Sequence, residues 1–194
     1  LYKSQGKAIT NFDRQLPALQ SDLAKEVIKD PYNFDFLTLT EGYREKELED
    51  ALTNNITKFL LELGQGFAYI GRQQPIMIGQ KEMAMDLLFY HMKLRCYVVI
   101  DLKVGEFDAS YTSQIGTYVV AVNHQLKTEM DNPTIGLIIC KTKDNVVAEY
   151  SLEASSVPIG ISEYQLSKVL PKEIDSSLPS IEEIEKSLKA ITGE

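Results

Sequence analysis

Two stretches of the sequence that have the composition of buried strands each carry one carboxylate near their middle or end. Asp86 lies within Met83–Tyr90 and Asp101 lies within Leu94–Lys103, which is rich in β-branched residues. If the two stretches form a hairpin whose turn is centred just after Lys93, residues whose numbers sum to 187 face each other. In that register Asp86 and Asp101 lie directly opposite one another.

Two carboxylates that face each other inside apolar strands repel, and they also lose hydration. A divalent cation held between them removes both penalties. Lys103 follows Asp101 by two positions and therefore shares its face of the strand. Carboxylate oxygens favour Mg²⁺ or Mn²⁺, which can generate hydroxide and stabilise charge on phosphoryl oxygens. A lysine beside the metal can orient or deprotonate the attacking water, so the three residues suit phosphodiester hydrolysis.

Each of these residues also has a simpler explanation. Asp101-Leu102-Lys103 at a strand end is typical of a solvated salt bridge. Glu49 lies near the edge of an apolar helical stripe and can complete the metal shell, but an acid there also complements the positive end of a helix dipole. Gln114 and Tyr118 share a helix face and can reach water, carboxylate or phosphate, although a helix flank with a core tyrosine has the same spacing.

Apolar residues at helical spacing alternate along the chain with short runs typical of strands. Three- and four-residue spacing predicts helices over Glu45–Leu63 and Ser110–Leu126. Strands are predicted over the two acid-bearing stretches, over Phe67–Ile78, where Pro75 indicates an edge or a bulge, and over Thr134–Cys140. The order is helix, three strands, helix, strand, which predicts an α/β fold with a mixed sheet.

The beginning of the chain predicts a lead-in segment. Residues 1–41 contain candidate helices at Leu1–Ile9 and Leu19–Ile28, and Phe34 is predicted to dock this segment on the main domain, together with Phe36 and Leu37. The main domain is predicted to span residues 42–170.

The end of the chain is more polar. Val146–Leu152 is short and ambiguous, and Ile159–Ile161 predicts a final edge strand. Residues 171–194 are predicted to form an acidic C-terminal segment whose main element is a charged amphipathic helix over Ile181–Ile191.

Composition is that of an ordinary globular protein, with 44% hydrophobic and 25% charged residues among 194. Apolar runs fall far short of the roughly 20 residues that cross a bilayer, so no membrane partner is expected. Cys96 and Cys140 lie in apolar runs and are expected to be buried thiols, which favours a cytoplasmic location. The net charge is −8, but ten acids and four bases fall within residues 144–194. The rest is almost neutral, so charge neither favours nor excludes DNA.

The order of these residues resembles the PD-(D/E)xK nuclease superfamily. Glu49 matches its first-helix acid, Asp86 its first motif acid and Asp101-Leu102-Lys103 its (D/E)xK, with Met85 in place of the proline. The spacing of Gln114 and Tyr118 resembles the Q-x-x-x-Y helix of the RecB-type exonuclease branch. Longer stretches resemble the bacterial YhcG-type proteins, namely Leu1–Phe12, Phe59–Gly64, Asp86–His91, Asn132–Ile138 and Ile159–Leu166.

The resemblance implies a restriction-endonuclease-like core, in which a helix, a three-stranded antiparallel meander, a helix and a strand build a mixed central sheet flanked by helices. It implies that Asp86, Asp101, Glu49 and the Leu102 carbonyl hold Mg²⁺ or Mn²⁺, that Lys103 is the motif lysine, and that an N-terminal domain precedes residue 1. Gln114 and Tyr118 are then expected to face the active site.

DNA is the partner that the resemblance implies, in repair, restriction or mobile-element defence. The basic residues Arg72, Lys93 and Arg95, with the loop at His91, are expected to meet the DNA backbone. The competing interpretation is a catalytically silent nuclease-like module for DNA binding or protein assembly. A homodimer is a further alternative, for which the C-terminal helix over Ile181–Ile191 offers an interface, although the pattern of that helix favours a solvated capping helix.

Overall fold

The computed structural model describes residues 7–172 and 181–193, and all structural statements refer to these residues. A mixed sheet is its centre. The strands are β1 Ile9–Thr10, β2 Tyr32–Asn33, β3 Leu39–Thr40, β4 Phe67–Ile78, β5 Lys81–His91, β6 Cys96–Leu102, β7 Ile135–Cys140, β8 Ile159–Gln165 and β9 Val169–Leu170. The helices are α1 Phe12–Gln15, α2 Ala18–Val27, α3 Glu45–Asn54, α4 Ile56–Leu63, α5 Ser110–Gln125, α6 Asn145–Glu153 and α7 Ile181–Thr192.

The main sheet has the strand order β1-β8-β7-β6-β5-β4, and β2 also pairs with β8. Strands β4, β5 and β6 form an antiparallel meander, whereas β7 runs parallel to β6. The predicted order of elements and the predicted α/β class with a mixed sheet are confirmed. The hairpin register is confirmed as well, because Leu87 pairs with Ile100 and His91 pairs with Cys96.

Strand β4 lies at the edge of the sheet, as Pro75 indicated, because an edge strand tolerates the missing N–H of proline. Its irregularity lies elsewhere, between Tyr69 and Gly71, where the pairing with β5 shifts by one residue. A second local departure is Gln73, whose φ of 45° is in the left-handed region.

The helix predicted over Glu45–Leu63 is wrong as a single element, because it is interrupted at Asn55. The Asn55 side-chain amide donates to the Ala51 carbonyl at 2.9 Å, and so competes with the backbone for the acceptors that would continue the helix. The ambiguous stretch Val146–Leu152 is helix α6. Its start is fixed by Asp144, whose carboxylate accepts hydrogen bonds from the two N–H groups of Val146 and Val147.

Ile159–Ile161 does belong to a strand, but its predicted position at the sheet edge is wrong. Strand β8 is covered on its outer side by β1, through Ile9 and Thr10, and by β2. Ile9 therefore lies in a strand and does not end a helix, and residues 1–6 lie outside the described part of the chain. The lead-in segment folds back across the sheet, which no local pattern near residue 160 indicates.

Helices cover both faces of the sheet. On one face α3 and α4 pack with aromatic side chains such as Phe34, Phe59 and Phe89. On the other face α5 packs through Ile115 and its neighbours against strands β6 and β7. The predicted docking by Phe34 is confirmed, since that ring is fully buried. The domain boundary predicted at residue 41 stays a prediction, although the buried cluster around Phe34, Phe59 and Phe89 contains residues from both sides of it.

Three smaller expectations concern the rest of the chain. Cys96 and Cys140 are buried free thiols, as predicted. None of the described helices is long and apolar enough to traverse a bilayer. The predicted C-terminal helix is present as α7, while residues 173–180 of the acidic segment lie outside the described residues.

Replacing Phe34 with alanine tests whether the lead-in segment belongs to the folded core. The ring packs on Phe59 and Tyr164 with centroid distances of 5.7 and 5.3 Å. We expect Phe34→Ala to lower the free energy of unfolding by about 3–5 kcal/mol, measured by denaturant unfolding. Leu19→Ala, at a side chain that is 75% exposed, is the control and should change little. Equal effects of the two substitutions would contradict this packing.

Candidate active site

The acid pair lies where the hairpin stops being regular. Strands β5 and β6 pair from His91 opposite Cys96 up to Leu87 opposite Ile100. The next facing positions in this register are Asp86 and Asp101. Beyond this point the Leu102 N–H donates to Asp86 Oδ2 at 2.9 Å. A carboxylate thus replaces the carbonyl of a regular ladder, and the predicted juxtaposition of the two acids is observed.

Asp101 is the most constrained carboxylate of the site. It is 4% exposed, and its Oδ2 atom accepts no hydrogen bond within the described residues. Burial, followed by the hydrogen bond and the negative charge of Asp86, raises the pKa of Asp101 to about 8, although Lys103 opposes the shift. A buried acceptor without a donor is costly, so this oxygen is poised to receive a cation or a proton.

Lys103 completes the predicted set. Its Nζ lies 3.5 Å from Asp101 Oδ2 and 4.5 Å from the centroid of the Tyr111 ring. Burial alone lowers the pKa of Lys103, but the charges of Asp101, Glu45 and Asp86 outweigh burial and raise that pKa above its ordinary value. The ammonium therefore keeps its proton at neutral pH and acts as a cation and hydrogen-bond donor.

Glu49 reaches the site from α3. Its carboxylate is 4% exposed, and its pKa is raised first by burial and, further, by the charge of nearby Asp86, while a hydrogen bond from Gln73 opposes the shift. Arg72 Nε donates to Glu49 Oε1 at 2.9 Å, and Gln73 Nε2 donates to Glu49 Oε2 at 2.7 Å. Arg72, predicted to meet DNA, therefore lies beside the acids as the partner of Glu49 and of Asp50.

Gln114 and Tyr118 are hydrogen-bonded neighbours on α5, and their orientation towards the acids stays a prediction. Gln114 Nε2 donates to the Tyr118 hydroxyl at 3.3 Å. The pKa of Tyr118 is raised by burial first, and the charges of Asp101 and Asp86 add to the shift. Helix α5 approaches the sheet closely at Gly136, where an added Cβ would lie 3.1 Å from side-chain carbons of α5.

The other basic residues predicted to meet DNA lie away from the acids. Lys93 and Arg95 are in the β5–β6 turn, at the end of the hairpin opposite to the site, so strand geometry separates Arg95 from Asp101 by roughly 20 Å. His91 is fully buried, with Nε2 paired to the Gln65 carbonyl and Nδ1 accepting from the Leu94 N–H. Both ring nitrogens are used inside the fold, so the ring itself offers no contact to DNA, and the expectation that the loop at His91 meets DNA stays a prediction.

Sequence reasoning missed three neighbours of the acids. Gln73 lies opposite Asp86 in the β4–β5 register, Tyr111 lies under the Lys103 ammonium, and Glu45 adds negative charge near it. Tyr111 had a signal, since it precedes Gln114 by three residues on one helix face. Gln73 had none, because the one-residue shift in β4 changes which residue faces Asp86.

Comparison with known proteins identifies the family of this chain. A family model described as the YhcG PDDEXK nuclease domain matches residues 25–179. The chain belongs to this family. "Putative nuclease YhcG" of Escherichia coli (strain K12) is 38% identical over 150 residues, which cover 77% of this chain. This chain spans 40% of the length of that relative.

Two solved structures show a more distant likeness. A crystal structure of a repair endonuclease from Pyrococcus abyssi is 21% identical, with a TM-score of 0.42 over 66% of this chain and 50% of that one. A structure of the EndoMS-dsDNA2 complex is 18% identical, with a TM-score of 0.45 over 70% of this chain and 48% of that one. The family assignment rests on the family model and on the YhcG relative.

The acids of this YhcG-type domain suit a divalent cation, although they do not form a complete set of metal ligands. Among the described residues no group of three or more His, Cys, Asp or Glu side chains is arranged to hold a metal. Asp86 and Asp101 face each other, and Glu49 stands beside Asp86 with both oxygens already hydrogen-bonded. The unsatisfied Asp101 Oδ2 is the atom that a cation would satisfy.

The raised pKa of Asp101 predicts how stability depends on pH without metal. Its pKa of about 8 in the folded chain lies above the ordinary aspartate pKa of 3.8, so the folded chain binds this proton more tightly than the unfolded chain. Stability should therefore fall as the pH rises through this interval. In EDTA, we expect Asp101→Asn to be more stable than the wild type at pH 8.5, with the difference shrinking towards pH 5.

Denaturant unfolding across this pH range measures the effect. Asp22→Asn, the same exchange on exposed α2, is the control and should follow the wild type. A destabilisation by Asp101→Asn that is equal at every pH would contradict a shifted titration and would indicate a purely steric role for the carboxyl group.

Proposed function

We propose that this domain hydrolyses DNA phosphodiester bonds in a reaction that depends on Mg²⁺ or Mn²⁺. The observation that carries the proposal is the pair of half-buried Asp86 and buried Asp101, with an oxygen of Asp101 that accepts no hydrogen bond and the Lys103 ammonium beside it. Such a pair is destabilising for a fold that does not use it. The family assignment supports nuclease chemistry at this site.

The oxygen donors of the site suit a hard divalent cation. Asp86, Asp101 and the Leu102 carbonyl would hold it, with Glu49 as the additional acid. When bound, such an ion supplies a Lewis acid that polarises the phosphoryl oxygen and favours hydroxide over water. The side chains of the chain itself provide the orientation.

Lys103 has the role of a fixed cation in this proposal. Because the surrounding acids raise the pKa of Lys103, its Nζ holds its proton and donates hydrogen bonds to the attacking water or to a phosphate oxygen. The Tyr111 ring lies 4.5 Å from Nζ and limits the directions in which the ammonium can point. Deprotonation of the water by Lys103 is the less favoured of the two predicted roles.

Gln114 and Tyr118 are the two α5 residues of the proposed site. The Gln114 amide donates to the Tyr118 hydroxyl, so its carbonyl oxygen stays available to accept a hydrogen bond from water. The Tyr118 hydroxyl keeps its proton, because burial and the nearby acids raise its pKa. Both groups are thus neutral and can orient a water or a phosphate without adding charge.

DNA as the substrate is inferred from the resemblance to YhcG-type proteins, as is a role in repair, restriction or mobile-element defence. A cytoplasmic location and a homodimer stay predictions. The competing function is a silent nuclease-like module. The acid pair favours catalysis over that module, because a silent module gains nothing from keeping two repelling carboxylates next to a lysine.

Removing the first acid tests the proposed reaction. The purified chain is incubated with labelled single- and double-stranded DNA and with RNA, in Mg²⁺, Mn²⁺ or EDTA. We expect cleavage of DNA that needs the metal, and a loss of more than about 100-fold in Asp86→Ala, beyond the range found for outer-shell partners of metals. Lys103→Ala should also lose cleavage but should still bind Mn²⁺ in calorimetry.

Asp22→Ala is the matched control, because it removes an exposed carboxylate on α2. Unchanged cleavage in Asp86→Ala would contradict the mechanism. Calorimetry separates the competing function, since a silent module shows no Mn²⁺ binding that depends on Asp86 and Asp101.

A further inference from the structure

One arginine of the edge strand β4, Arg72, is hydrogen-bonded to helix α3. The Arg72 guanidinium donates to three acceptors on α3, namely Glu49 Oε1 at 2.9 Å, Thr53 Oγ1 at 3.0 Å and Asp50 Oδ1. Each of its three nitrogens has a different partner. The planar fork of arginine suits such a contact, whereas an ammonium would satisfy fewer of these acceptors. We call Arg72 with its three acceptors the α3 clamp.

The next residue adds a second contact to the same carboxylate. Gln73 Nε2 donates to Glu49 Oε2 at 2.7 Å, so both Glu49 oxygens are held from β4. Gln73 has a φ of 45°, which is unfavourable for a residue with a side chain. Residues kept in this region are held by surrounding contacts and cluster at functional sites. Here the unusual backbone directs the amide towards Glu49.

These contacts fix one acid relative to another. Glu49 lies on α3 and Asp86 on β5, two elements with no backbone ladder between them, whereas β4 pairs with β5 along its whole length. Arg72 pairs with Leu87 and Gln74 pairs with Met85, which places Gln73 opposite Asp86. Through Arg72 and Gln73, the position of Glu49 is therefore set by the same sheet that sets Asp86.

We propose that Arg72 and Gln73 are positioning residues that act on the metal site through Glu49, by holding its carboxylate beside Asp86. The inference rests on the proposed metal-dependent function and deepens it. Three of the five N–H donors of Arg72 are then used by α3, so its expected part is to position Glu49 rather than to bind DNA. Partners that orient a ligating group are commonly worth 10- to 100-fold in metal affinity.

Calorimetry with Mn²⁺ on the whole chain tests the inference. We expect Arg72→Lys to weaken Mn²⁺ binding about tenfold, and Gln73→Gly, which permits the left-handed backbone but lacks the amide, to weaken it similarly. Arg95→Lys is the matched control, since Arg95 also has a positive φ but lies at the other end of the hairpin. Unchanged or tighter Mn²⁺ binding in both β4 variants would overturn the inference.

A double-mutant cycle then shows whether the effect passes through Glu49. In a Glu49→Gln background we expect Arg72→Lys to change Mn²⁺ affinity less than twofold. An undiminished effect there would overturn the inference, because Arg72 would then act by another route.

DNA binding gives a second, independent readout. A positioning residue should change the Mn²⁺ concentration needed for cleavage and leave both the KM for DNA and its salt dependence as in the wild type. A phosphate contact would instead raise KM and reduce the salt dependence. If the wild type neither binds Mn²⁺ nor cleaves DNA, the proposed function falls together with this inference. If the wild type does both and the variants match it, only this inference falls.

Discussion

Repulsion between Asp86 and Asp101 is the constraint around which the site is organised. A regular sheet would place apolar or oppositely charged residues at facing positions of two neighbouring strands. Here the ladder stops at Leu87 and Ile100, and the Leu102 N–H donates to Asp86. The Lys103 ammonium lies 3.5 Å from Asp101 Oδ2. Each departure from regular pairing around the two acids reduces the cost of keeping them together, and none removes it, because Asp101 Oδ2 has an ion pair at 3.5 Å but accepts no hydrogen bond among the described residues.

The parts of the fold that follow from short-range periodicity were predictable. Strand period two, applied to one turn position, is sufficient to place Asp86 opposite Asp101, and helical spacing identifies α5. The wrong predictions involve other physical causes. A continuous apolar stripe predicts one helix, but the helix is interrupted at Asn55, whose side chain makes a local hydrogen bond. Strand β8 is covered by residues about 150 positions earlier in the chain, and such pairing leaves no trace in the local pattern.

The site divides in the same way. Its central residues are visible in the sequence because an acid or lysine inside an apolar run is unusual. Arg72 and Gln73 are ordinary polar residues of an edge strand, and their partner Glu49 lies more than 20 residues earlier on a helix. Their part in the site depends on a one-residue shift in β4 and on one left-handed backbone, neither of which has a signature in side-chain type. Sheet edges therefore contribute to this site in a way that motifs do not record.

Charge at the site links the acids to the cation they would bind. Five acids, Glu45, Glu49, Asp50, Asp86 and Asp101, surround the cations Arg72 and Lys103. Burial and the neighbouring Asp86 raise the pKa of Asp101, so without metal this carboxyl binds a proton more readily than an exposed aspartate does. A divalent cation would displace that proton, because a ligating carboxylate must be deprotonated. Proton and metal thus compete for the Asp101 carboxylate, beside the Lys103 ammonium that already offsets part of its charge.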